Sequence, residues 1–177
     1  MPLVHAWPVQ LRQSVEADIA SAIVSSGVKG TNCPIRPGST NQSIGNQVES
    51  YTIQLLQQHT SAFTIGPCSG AGYPDKTLME RSTRLKIPLE VKATSGWNPA
   101  DSNRRVLTSS STKLRNQFTA PIHHLLLTVI YTSATSHAII DAIRLDFLEP
   151  STSVSVRLEA SVNHKILSNG PHHSKVI

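Results

Sequence analysis

Between Arg84 and Lys92 the chain reads Arg-Leu-Lys-Ile-Pro-Leu-Glu-Val-Lys, with an apolar side chain at every second position. Successive side chains of an extended strand point to opposite faces. Leu85, Ile87, Leu89 and Val91 therefore predict one core-facing row. Lys86, Glu90 and Lys92 share the other face, with Glu90 and Lys92 side by side at the end of the strand. Pro88 cannot donate to a ladder, so it predicts a bulge or an unpaired position. Fourteen residues separate Glu90 from Asp75 in the pair Pro74-Asp75. A hard divalent cation takes carboxylate oxygens, and Asp75 from a neighbouring strand can supply a second carboxylate beside Glu90. Lys92 can orient or deprotonate a water and offset charge at an attacked phosphate. The plain alternative is a turn at residues 72–75 followed by an edge strand with a charged outer face.

The rest of the pattern predicts helices first and strands after. Leu11, Val15, Ile19 and Ile23 recur at helical spacing, so residues 11–26 read as an amphipathic helix ending near Gly27. Residues 28–43, with Gly30, Pro34, Pro37 and Gly38, read as a loop. A second helix is expected over 43–59, with Ile44, Val48, Thr52, Leu55 and Leu56 as its inner stripe and Glu49 beside it. Short strands follow at 62–65 and near 74–78, then the long strand 84–92. Residues 95–111 read as polar and irregular, and 112–118 as a short helix or turn. The continuous apolar run 124–131 predicts a buried strand, hairpin-linked to another at 137–143. Residues 146–150 read as a connecting turn, 152–160 as a last strand, and 168–177 as a loose tail. The fold class expected is α/β, or α+β mixed: one domain over 1–177 with a central mixed sheet flanked by helices.

Charge is distributed unevenly. Net charge is +5, yet residues 84–117 carry seven basic and two acidic side chains, and the remainder of the chain carries nine of each. The positive excess thus surrounds and follows the candidate site, which favours an anionic partner such as nucleic acid over an ordinary basic surface. Cys33 and Cys68 are too few for a disulfide scaffold and read as reduced thiols of a cytoplasmic protein. No pair of histidines has the helical spacing of a zinc site, and His123, His124, His172 and His173 read as structural or solvated. The first eight residues lack the pattern of a signal peptide. The run 125–131 is too short to span a membrane.

Pro74, Asp75, Glu90 and Lys92, set around a hydrophobic strand, resemble the motif of the PD-(D/E)xK nuclease superfamily. The resemblance covers roughly residues 44–148 and implies a central mixed sheet of about four strands with helices on its faces. It further implies magnesium held by Asp75, Glu90 and the carbonyl of Val91, with Lys92 positioning the attacking water. Many such nucleases carry an acidic residue on the preceding helix, which matches Glu49 as a ligand of a second metal or its water. Glu49 read by itself is a glutamate favoured near a helix N-terminus, and both readings stand. Residues after the lysine often face DNA in these enzymes. That matches Ser95, Trp97 and Asn98, although a lone Trp is more often structural filling. Arg104, Arg105, Ser111, Lys113, Arg115, Asn116 and Gln117 combine phosphate binders with base readers, or else form an N-capped solvated helix.

Size and polar loops point within this family to a small type II restriction endonuclease: prokaryotic, cytoplasmic, acting on double-stranded DNA as a homodimer because a palindrome calls for two-fold symmetry. The alternatives are a Holliday-junction resolvase or repair nuclease of the same superfamily, and a non-catalytic nucleic-acid-binding domain. A ribonuclease is a weaker option, because few aromatic residues are present for base stacking.

Overall fold

The computed structural model describes residues 4–68, 74–97, 106–110, 120–151, 153–158, 163–169 and 173–177. Helix α1 (Val9–Ser26) buries Val15, Ile19, Ala22 and Ile23 along the expected stripe. It stops at Gly27, whose φ of 62° is left-handed and whose N–H bonds the carbonyl of Val24. A Cβ at Gly27 would touch nothing, so the cost of a side chain there is conformational alone. Gly27→Ala is expected to cost about 1 kcal/mol and to lower Tm by about 2–4 °C in a thermal melt. Helix α2 (Asn41–His59) begins where the Thr40 side chain accepts the Ser43 N–H at 3.3 Å. It buries Val48, Thr52, Ile53 and Leu56.

The strands are β1 (Asn32–Pro34), β2 (Phe63–Pro67), β3 (Lys76–Glu80), β4 (Lys86–Thr94), β5 (Val106–Ser110), β6 (His124–Ser133), β7 (His137–Leu148), β8 (Ser153–Leu158), β9 (Asn163–Asn169) and β10 (His173–Val176). Seven of them make one mixed, curled sheet in the order β1-β7-β6-β4-β3-β2, with β10 also paired to β7. All its pairings are antiparallel except β4 with β6. A separate antiparallel sheet runs β5-β9-β8. The architecture is therefore α+β mixed. Both described helices share a single apolar core with Ile87, Leu89, Val91, Leu125, Leu127 and Val129. These residues alternate along their strands, so the helices cover one face of the sheet rather than both.

Several local expectations change for identifiable reasons. Loop 28–43 contains β1, because Cys33 is buried and pairs with Ala138 of β7. Pro88 creates no bulge on the β3 side, where it stands in register with Thr77. It falls one residue before pairing with β6 begins at Leu89, so its missing N–H interrupts no bond there. The strand expected at 137–143 runs on through Asp146 and Leu148, so residues 146–148 are not a turn. The cause is a register shift at Ile130/Tyr131: Ile130 faces Ala142 and Tyr131 faces Ile140. Asp141 is left as the extra residue of the bulge, and its carboxylate accepts the Thr132 hydroxyl at 2.8 Å. The buried stripe of β7 accordingly changes phase, from Ala138 and Ile140 to Ile143, Leu145 and Phe147. The tail expected to be loose over 168–177 supplies β10, after a further strand β9, and the Ile177 N–H bonds the Ile143 carbonyl at 3.1 Å. Residues 95–111 end in β5, while the expected short helix at 112–118 lies outside the described residues. Cys33 and Cys68 are free thiols. Among the described residues no helix is long and apolar enough to cross a membrane.

Candidate active site

The site forms where β4 loses one of its two neighbours. On the β3 side pairing ends at Lys76 opposite Leu89, whereas on the β6 side it continues to Thr94. Beyond Leu89 one edge of β4 has no strand beside it among the described residues, and its backbone donors need other partners. Two carboxylates from elsewhere in the chain supply them. Asp75, one residue before β3, accepts the Val91 N–H through Oδ2 at 2.9 Å. Glu49, in the third turn of α2, accepts the Ala93 N–H through Oε1 at 2.8 Å. The N–H and carbonyl of one strand residue point to the same edge, so the Val91 carbonyl faces the edge that Asp75 occupies. Glu49 lies too far into its helix for the terminal dipole to explain it. Its observed task is to cap this edge.

Glu90 and Lys92 lie on the sheet face opposite the helices, and their side chains meet at 2.5 Å between Oε1 and Nζ. That face is covered, unlike the charged outer face of the plain alternative. Glu90 is 2% exposed, and Leu126, Asp146, His124 and Leu148, which share its side of the sheet, are also buried. The other Glu90 oxygen, Oε2, is buried and receives no donor. The Asp75 carboxyl lies near enough to Glu90 to oppose its ionisation.

Three acids thus gather around one lysine. Burial, with Asp75 adding to it, pushes the Glu90 carboxyl up to about 7 despite the attraction of Lys92. Burial likewise raises Glu49 to about 7, with Asp75 adding to the rise while Lys92 and the Ala93 N–H oppose it. Burial alone would lower Lys92, but Glu90, Asp75 and Glu49 outweigh it and hold Lys92 as an ammonium. An ammonium donates hydrogen bonds and cannot take a proton.

Asp75, Glu90, Val91, Lys92 and Glu49 are therefore brought together, although the two capping bonds join residues 16 and 44 apart in sequence. Ser95 is exposed just past β4, and its side chain favours the ionised form of the buried Tyr131, against the effect of burial. Trp97 is 37% exposed. Asn98, Arg104, Arg105, Ser111, Lys113, Arg115, Asn116 and Gln117 lie outside the described residues. Sequence reasoning did not find Tyr131, Thr128 or Arg144. In register, Lys92 stands beside Thr128 and Thr128 beside Arg144, so the three share a rung of the sheet. Only strand order and register reveal that rung; the apolar run 124–131 marks Thr128 and Tyr131 simply as core.

Among the described residues no group of three or more His, Cys, Asp or Glu side chains is set to hold a metal ion. The expected donor set is two carboxylates and a backbone carbonyl. Its chemistry fits a hard divalent cation: the donors are all oxygens, and the buried Glu90 Oε2 lacks a partner. Compared with protein-family models and with curated proteins, the chain matches none.

Proposed function

We propose that this protein is a magnesium-dependent endonuclease of double-stranded DNA with a restriction-endonuclease-like fold, acting as a type II restriction enzyme. The observation that carries this reading is the open edge of β4, where Asp75 and Glu49 cap the N–H groups on either side of Lys92 while Glu90 pairs with that lysine. Packing needs no such concentration of buried acid, and perturbed carboxyls around one lysine are a common mark of a catalytic site.

In this reading Asp75, Glu90 and the Val91 carbonyl hold Mg2+, which when bound acidifies a water and polarises the phosphoryl group. Asp75 is fixed for this by the Val91 N–H and Glu90 by Lys92. The Lys92 ammonium is the donor that orients the attacking water and offsets charge building on the phosphate. Glu49, anchored by Ala93, adds negative charge from the helix side and holds a second ion or its water. The positive excess over residues 84–117 attracts the DNA backbone. A palindromic site calls for a homodimer.

The test is incubation of the purified protein with plasmid and phage DNA, in magnesium and in chelator. Discrete magnesium-dependent fragments are the expected result. A smear would replace sequence specificity with a structure-directed nuclease such as a junction resolvase. Intact DNA in every lane would remove the catalytic assignment. Glu49→Gln keeps an acceptor for Ala93 but loses the charge. It is expected to raise the magnesium needed for half-maximal cleavage by about 10- to 100-fold, read from a metal titration.

A further inference from the structure

We propose that Arg144 is a positioning residue that holds Trp97 over the Lys92 face of the sheet for contact with duplex DNA; this rests on the nuclease reading. The Arg144 guanidinium presents its Nε–Nη2 edge to Asp146, with bonds of 3.0, 3.0 and 2.8 Å to the two carboxylate oxygens. Asp146 is 4% exposed, so this anchor is set inside the protein. Its negative charge offsets that of Arg144, which leaves the guanidinium to act through its shape more than as a free cation. Fixed by one edge, the Arg144 guanidinium lies over Trp97, with its carbon 4.5 Å from the ring centroid.

Register places this stack relative to the candidate chemistry. Arg144, Thr128 and Lys92 form one rung across β7, β6 and β4. Neighbouring strands lie about 4.8 Å apart, so the Arg144 and Lys92 backbones are about 10 Å apart on one face. Trp97 follows the end of β4 by three residues. A Trp filling the core would be buried. Trp97 is 37% exposed and carries the Arg144 guanidinium over its ring. That is a preorganised platform for a base or sugar. Lysine cannot replace arginine here, because it has neither the bidentate edge nor the flat face.

The test is a double-mutant cycle on DNA affinity, measured by filter binding of sheared phage DNA with calcium in place of magnesium. Arg144→Lys and Trp97→Ala are each expected to weaken binding about tenfold, and the double variant no more than Trp97→Ala alone. In magnesium, cleavage at limiting DNA should fall in step with the lost affinity. Unchanged affinity in both variants, or fully additive losses, would overturn the proposal while cleavage by the parent protein left the nuclease reading intact. If Arg144→Lys does not fold, the exposed Trp97→Ala decides alone, and unchanged binding by it overturns the proposal. DNA bound but never cut by the parent would remove the nuclease reading and leave the cycle to judge Arg144. No DNA binding by the parent would overturn both.

Discussion

Lys92→Ala is expected to reduce magnesium-dependent DNA cleavage by about a thousandfold while duplex binding persists, because it removes the ammonium that positions the water and offsets phosphate charge. The same change strips the buried Glu90 of its counter-charge. Lys92 is itself 31% exposed, so solvent moderates the loss, and a destabilisation of about 1–2 kcal/mol is expected. Glu90→Gln should abolish cleavage equally but differ in stability. It removes one of three crowded acids and leaves Lys92 with Asp75 and Glu49, so its unfolding midpoint should not fall below that of Lys92→Ala. Cleavage rates and denaturant unfolding of the two variants check both halves. Cleavage by Lys92→Ala at the parental rate would exclude this site as the catalytic one.

Asp18→Ala should give the largest stability loss of any single change at a polar residue far from that site. Asp18 lies on the buried side of α1, 5% exposed. Its Oδ1 accepts the Ser61 N–H and hydroxyl at 2.8 Å and the Ala62 N–H at 3.1 Å, and its Oδ2 accepts the Phe63 N–H at 3.0 Å. One carboxylate therefore satisfies the turn between α2 and β2, and its loss leaves four donors without their acceptor at once, the buried Phe63 N–H among them. The expected cost is about 3 kcal/mol, or about 6–12 °C in Tm. Burial by itself would raise the Asp18 pKa, but the bonds from Ser61, Ala62 and Phe63 prevail and hold it below 3.8. A depressed folded pKa stabilises the fold above the unfolded value. The contribution is therefore complete at neutral pH and is lost as pH falls below about 4 through the folded pKa. Unfolding measured from pH 7 down to pH 2 should show this acid loss in the parent and its reduction in Asp18→Asn. A parallel pH dependence in the two proteins would assign the loss to other carboxylates.

Local patterns were the legible part. The four-residue spacing from Leu11 to Ile23 and the glycine after it located α1 within two residues, because a helix stripe and its left-handed cap are both short-range features. The alternation from Leu85 to Val91 located β4 for the same reason, and the acids flanking it were recognisable from residue type and spacing. Phase changes were not legible. β7 shifts its buried stripe at a bulge that exists only against β6, so Asp146 looked like the start of a turn. β10 looked like a tail because four polar-flanked residues show no periodicity until β7 offers them an edge. The burial of Glu90 was equally hidden, since alternation says which side a residue faces but not whether that side is covered.

The sequence by itself determined the helical stripes, the apolar strands and the residue types gathered near Lys92, because each depends on neighbours a few positions away. Only the tertiary structure decided that β3 stops short of β4, which opens the edge that Asp75 and Glu49 cap, and that Arg144 shares a rung with Lys92. Those relations depend on strand order and register. These are set by how the whole sheet buries its apolar rows against α1 and α2, and no short window of residues encodes that.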